Sequence, residues 1–135
     1  MRTRLLLLGI FAAWATHAAA ADGLPTELVG EWATARSEFN QGTLSNGAAL
    51  YLTAQGVGAL IGVPPPIGAQ GPATYDPKTR RLTVQLTEQG RVMATCGFIY
   101  DPSAKILKGE GAECGPDVFK RRRDSVPEYI RKMMK

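Results

Sequence analysis

The sequence predicts an all-β protein: a small antiparallel barrel of seven or eight strands, lipocalin-like in outline, with a short C-terminal helix. Three observations point there. Glycine and proline punctuate the whole chain, with 15 and 9 of them in 135 residues. Between these breaks, short stretches alternate apolar with polar residues, and helical periodicity is confined to the last dozen residues. Short strands joined by tight turns produce this pattern.

The alternation is cleanest from Arg81 to Thr87, where Leu82, Val84 and Leu86 share one face and Arg81, Thr83, Gln85 and Thr87 the other. Gln89-Gly90 turns the chain into Arg91 to Tyr100, with Val92, Ala94, Cys96, Phe98 and Tyr100 on one face. These two strands pair antiparallel. Tyr75-Asp76-Pro77 and Tyr100-Asp101-Pro102 are each followed five residues later by leucine, Leu82 and Leu107. Both read as turns, because proline presets φ and aspartate accepts bonds from the backbone beyond it.

Upstream, Val29 to Arg36, Ala48 to Ala54 and Val57 to Val63 read as strands, and residues 37–47 as a polar connection. Ile67 to Pro72 reads as a loop or edge, since proline cannot donate to a central ladder. Val118 to Arg122 supplies a last strand, and this many short strands in one small domain favour closure into a barrel. The barrel domain is then residues 22–124. Ser125-Val126-Pro127-Glu128 fits a capping box, and Val126, Tyr129, Ile130 and Met133 follow at helical spacing, which makes 125–135 an amphipathic helix.

Residues 1–21 read as a cleaved signal peptide. Met1-Arg2-Thr3-Arg4 is a positive start, Leu5 to Ala15 an apolar run, and Thr16 to Ala21 a small-residue cleavage region. The run is shorter than the roughly 20 apolar residues of a membrane span, so the expected compartment is the periplasm or the exterior. Cleavage removes His17, the one histidine of the chain. A mature chain without histidine excludes Ser-His-Asp and Cys-His activation and the usual nitrogen ligand of zinc or copper. No catalytic residue, metal site or cofactor is therefore expected.

Cys96 and Cys114 are an even pair in an exported chain and read as a disulfide, stabilising by about 3 kcal/mol. Geometry makes a demand on it. If residues 102–104 form the loop, Asp101 faces Lys105 and Cys96 faces Glu110, four residues short of Cys114. Four extended residues span about 13 Å, whereas bridged Cα atoms lie within about 7 Å. The expectation is a bulge or fold-back at Gly109, Gly111 or Gly115.

Leu28-Val29-Gly30-Glu31-Trp32 resembles the Gly-x-Trp signature that opens the first strand of the calycins: lipocalins, avidins and small bacterial metalloprotease inhibitors. In those families a basic residue of the last strand packs across the tryptophan and closes one end. The run Val118-Phe119-Lys120-Arg121-Arg122-Arg123 is similar, and the resemblance implies Lys120 or Arg122 as a structural lock on Trp32.

Charge is segregated. Residues 118–135 carry seven positive and two negative side chains, whereas residues 22–117 carry seven and ten. The basic C-terminus either packs its apolar side on the barrel or makes weak contact with an anionic membrane surface. Nucleic acid is not an expected partner, since one basic end lacks interleaved aromatics. The carboxylates Glu27, Glu31, Glu38, Glu88, Glu110 and Glu113 show no spacing for acid-base work and read as solvated surface.

Val57 to Ile67 is uncharged over eleven residues and includes Pro64-Pro65-Pro66. It reads either as a buried strand with a rigid loop, or as an exposed apolar lip formed by Val63, Pro64, Pro65, Pro66 and Ile67. Two functional classes follow. The first is a non-catalytic barrel that binds a small apolar ligand, with small residues such as Ala48, Ala54 and Ala94 leaving room for it. The second is a module that inhibits or escorts another exported protein.

Overall fold

A computed structural model describes residues 23–111 and 113–134; the leader read at residues 1–21 lies outside them. A 3-10 turn at Thr26–Leu28 precedes nine strands: β1 (Gly30–Thr34), β2 (Glu38–Asn40), β3 (Thr43–Leu52), β4 (Val57–Val63), β5 (Ile67–Asp76), β6 (Arg81–Glu88), β7 (Arg91–Asp101), β8 (Ile106–Gly109) and β9 (Val118–Arg123). One helix, α1 (Glu128–Met133), follows. From β3 onward each strand pairs antiparallel with the next, and β1 pairs with both β9 and β3. Eight strands thus close into an up-and-down barrel, with β2 as an extra strand on β3. The predicted all-β barrel is the observed one.

Two strand expectations are corrected. Residues 37–47 are not a plain connection: they hold β2 and the start of β3, turned at Gln41 and Gly42, both at positive φ. That is the backbone of a tight hairpin, and the one apolar pair available, Phe39 and Leu44, sits in register across it. Ile67 to Pro72 is not a loop but the first half of β5, paired to β4 through Val57↔Pro72. The ladder to β6 tolerates the proline by skipping it, with pairs at Gln70↔Thr87 and Ala73↔Val84.

The Asp-Pro turns behave as read. Asp76 accepts from Lys78 N at 2.9 Å, and Asp101 from Ser103 N at 3.0 Å and Ala104 N at 3.3 Å. Each loop is four residues long, ending at Arg80 and Lys105 in positive φ, so Asp101 pairs with Ile106 instead of Lys105. The disulfide demand is met by a fold-back. Gly111 and Gly115 adopt φ of 81° and 89°, Gly111 N donates to Gly115 O at 3.2 Å, and Gly109 N to Asp117 O at 2.9 Å. Cys96 and Cys114 are joined with Cα atoms 5.2 Å apart.

Inside the barrel, Trp32, Leu50, Leu52, Leu82, Val84, Phe98, Leu107 and Phe119 form one buried core. Outside it, Val126 and Ile130 pack on Ala33, Ala49, Tyr51 and Ala59, so β3 is buried on both faces from Ala49 to Leu52. Small alanines there let the C-terminal segment approach closely. The capping box does not form: α1 begins at Glu128, Pro127 occupies its N-cap, and no side chain caps it. Proline steers the preceding Val126 away from helical geometry, which shortens the helix to six residues.

Candidate functional site

In this topology the turns after β3, β5 and β7 lie at the end where β1 begins, together with the 3-10 turn. The turns after β4, β6 and β8 lie at the other end. The two ends differ in construction.

The first end is sealed. Leu24 and Leu28 are buried there, and Trp32 Nε1 donates to Leu28 O at 2.9 Å. Tyr100 meets Trp32 edge-on at 6.1 Å between ring centroids, and Tyr75 meets Tyr100 at 6.3 Å. Burial, above all, raises the pKa of both Tyr75 and Tyr100 above the ordinary tyrosine value. Gly30 has φ of 137°, and a Cβ there would lie 2.0 Å from Arg123 O, so glycine is what lets β1 pass β9 beside its register shift.

The basic residue set opposite Trp32 is neither Lys120 nor Arg122 but Arg121. Trp32 pairs in register with Arg121, whose Nη2 donates to Thr26 O at 3.0 Å and to Val29 O. Strand parity decides this, because buried Phe119 places Arg121, two residues on, inward with Trp32, before the register shift that brings Arg123 to the Glu31 side. Lys120 is exposed, and Arg122 lies over the Phe39 ring at 3.5 Å. The signal that identifies Arg121 was present in the sequence: Phe119 is the large aromatic of that strand.

Glu31 corrects the view that the carboxylates are all solvated. It is fully buried, alternating outward from Trp32 onto a face that the β2–β3 hairpin and C-terminal segment cover. Arg122 Nη1 approaches its Oε1 at 2.8 Å and Arg123 Nε at 3.3 Å. Tyr51 stands opposite Glu31 in register. Burial first, and the Glu31 charge second, push the Tyr51 pKa far above the ordinary value. Neither Tyr51 Oη nor Glu31 Oε2 has a hydrogen-bond partner among the described residues. Glu110 pairs with Arg81 at 2.7 Å, and Glu113 accepts from Thr95 N at 2.6 Å, so these too are engaged.

The second end is open. An apolar cavity of about 240 Å³ lies in its mouth. Leu60, Ala69, Leu86 and Phe119 contribute inward-facing side chains, Ile67 and Cys114 line it, and Asp117 is its charged member. The lip divides into two parts. Val63 packs with the outer cluster, Pro64, Pro65 and Pro66 are exposed, and Ile67 is 67% exposed. Val92 and Met93, 56% and 59% exposed, stand on the neighbouring β6–β7 hairpin. A more polar cleft of about 610 Å³, which includes Thr34, Arg36 and Asn46, adjoins the cavity at Ala48 and Asp117. The alanines do not hollow out the interior as expected: Ala54 is exposed in a turn, Ala48 and Ala94 are only half-buried, and large side chains fill the centre.

No protein-family model, curated protein or solved structure matches the chain. Fold and site define its class: a closed eight-stranded antiparallel barrel, sealed at one end and open at the other, an architecture compatible with the calycins. Its disulfide belongs to oxidising compartments, and among the described residues no helix is long and apolar enough to cross a membrane.

Proposed function

We propose that this is an exported, non-catalytic binding protein of calycin-like build that takes a small apolar ligand in the mouth of its barrel. The cavity between Leu60, Ala69, Leu86, Phe119 and Ile67 carries this reading, since it is apolar, concave and bounded by an exposed lip. Its size limits the ligand: sites for drug-sized molecules begin at roughly 300 Å³, and the filled core below stops deeper entry. The absence of histidine from the chain after His17 supports a role without acid-base chemistry, and the leader and disulfide support export to the periplasm or beyond.

The test is native mass spectrometry of the protein purified from its own compartment, followed by titration with a neutral solvatochromic naphthylamine. A bound small mass, and probe fluorescence lost in Ile67→Ser, is the expected result. A co-purifying protein would favour the second reading, an inhibitor or escort of another exported protein. Ile67, Val92 and Met93 support that alternative, because three exposed apolar side chains on adjacent hairpins are a surface that a partner can bury.

A further inference from the structure

We propose that the sealed end carries a second binding site, independent of the mouth, for a phosphate-type anion. Lys105, Arg121, Arg122 and Arg123 line one open cleft of about 530 Å³ together with Asp124 and Ser125. Strand pairing assembles it: Ile106 pairs with Lys120 across β8 and β9, which sets the β7–β8 turn residue Lys105 beside the last residues of β9.

The cations outnumber their carboxylates. Glu31 serves both Arg122 and Arg123, and Asp124 forms no ion pair among the described residues. Arg121 donates its Nη2 to two neutral carbonyls, Thr26 O and Val29 O, which satisfies hydrogen bonding and leaves its charge uncompensated. Its Nε is buried and has no hydrogen-bond partner among the described residues. Lys105 is exposed and forms no ion pair among the described residues. Four positive groups against two carboxylates, with the Ser125 hydroxyl beside them, suit a doubly charged oxyanion that accepts several charge-assisted bonds at once. A free phosphate and the headgroup of an anionic phospholipid share that chemistry.

Isothermal titration with inorganic phosphate at constant ionic strength, chloride as the control, tests this on the full mature chain. Saturable phosphate binding is expected, weakened roughly tenfold in Lys105→Asn, the loss expected for one bond to a charged group; asparagine suits the positive φ at this position. Arg36→Gln, at the opposite end, should bind as the parent does. Flotation with phosphatidylglycerol vesicles, phosphatidylcholine as control, separates the sources: vesicle capture lost in Lys105→Asn without binding of free phosphate assigns the headgroup. Binding of neither phosphate nor phosphatidylglycerol above its control overturns the site, as does equal loss in Lys105→Asn and Arg36→Gln, which would mark general charge attraction.

Discussion

At the sealed end Leu28 and Trp32 are wholly buried, whereas at the open end Ile67, Val92 and Met93 are all more than half exposed. Both ends are made of the same antiparallel strands, so the difference comes from what crosses them. The 3-10 turn lays Leu28 over one opening, and Trp32 and Arg121 tie it down through carbonyl oxygens. Among the described residues no comparable segment covers the other opening, where the Cys96–Cys114 bond braces the rim. Anchoring one end by packing leaves the other free to present apolar surface without loss of the fold.

If packing at the sealed end holds the barrel, Trp32→Ala should be the most damaging single change. It removes a fully buried indole and should cost about 3–5 kcal/mol, a large share of the roughly 5–15 kcal/mol of a typical domain. Urea denaturation measures it, and a loss below about 1 kcal/mol would show that the plug is dispensable. Next comes the brace of the open end. Cys96→Ala/Cys114→Ala should cost about 3 kcal/mol for a loop of this length and also reduce naphthylamine binding, because Cys114 lines the mouth. Equal binding in oxidised and disulfide-free protein would separate the brace from the site.

The flank between the ends should respond less. Glu31→Gln breaks two ion pairs but leaves Arg122 and Arg123 partly in water, their side chains 36% and 49% exposed. The expected loss is therefore about 1–3 kcal/mol, below the cost of stranding a wholly buried charge. Tyr51 should act only in alkali. Its folded pKa is raised, so the folded state holds its proton where the unfolded chain has released it. Its contribution is intact below the unfolded value of about 10 and is lost as pH rises beyond it. Stability measured from pH 8 to 11 should fall at the upper end, and Tyr51→Phe should flatten that fall while changing little at neutrality.

Strand identity was legible where apolar and polar residues alternate cleanly. Leu82, Val84 and Leu86 alternate with exposed or half-buried neighbours, and that β6 face is the one observed. Legibility failed in exposed, weakly apolar strands: β2 and the first half of β5, whose burial runs only from exposed to half-buried, had no clean alternation to show. Ala49 to Leu52 is legible as a strand, but not its burial on both faces, because the cover of its outer side comes from the β2–β3 hairpin and the C-terminal segment. The same cover hid Glu31, whose fate depends on residues about 90 positions away in the chain. Trp32 was readable as a residue that faces the basic last strand, but its partner in register turned on a parity of one residue within Lys120-Arg121-Arg122-Arg123. The fold-back at Gly111 and Gly115 could be deduced because a covalent bond imposes a distance. The mouth could not, since a cavity depends on what fails to fill it.

The smallest effect on stability should come from Ile67→Ser, and it bears most directly on the contrast between the ends. At 67% exposure the isoleucine has little burial to lose, so the melting temperature should shift by no more than about 0.5 kcal/mol implies. Its side chain nevertheless lines the mouth cavity, and losing that contact should weaken naphthylamine binding roughly tenfold, in line with about 1.5 kcal/mol for part of an aliphatic side chain. Val63→Ser, one turn away, should do the reverse: Val63 packs with Ala49, Tyr51 and Ile130 in the outer cluster, so it should lower stability and spare binding. Crossed outcomes in this pair would mean that the lip belongs to the core and that the open end is sealed in solution by the Pro64–Pro66 turn.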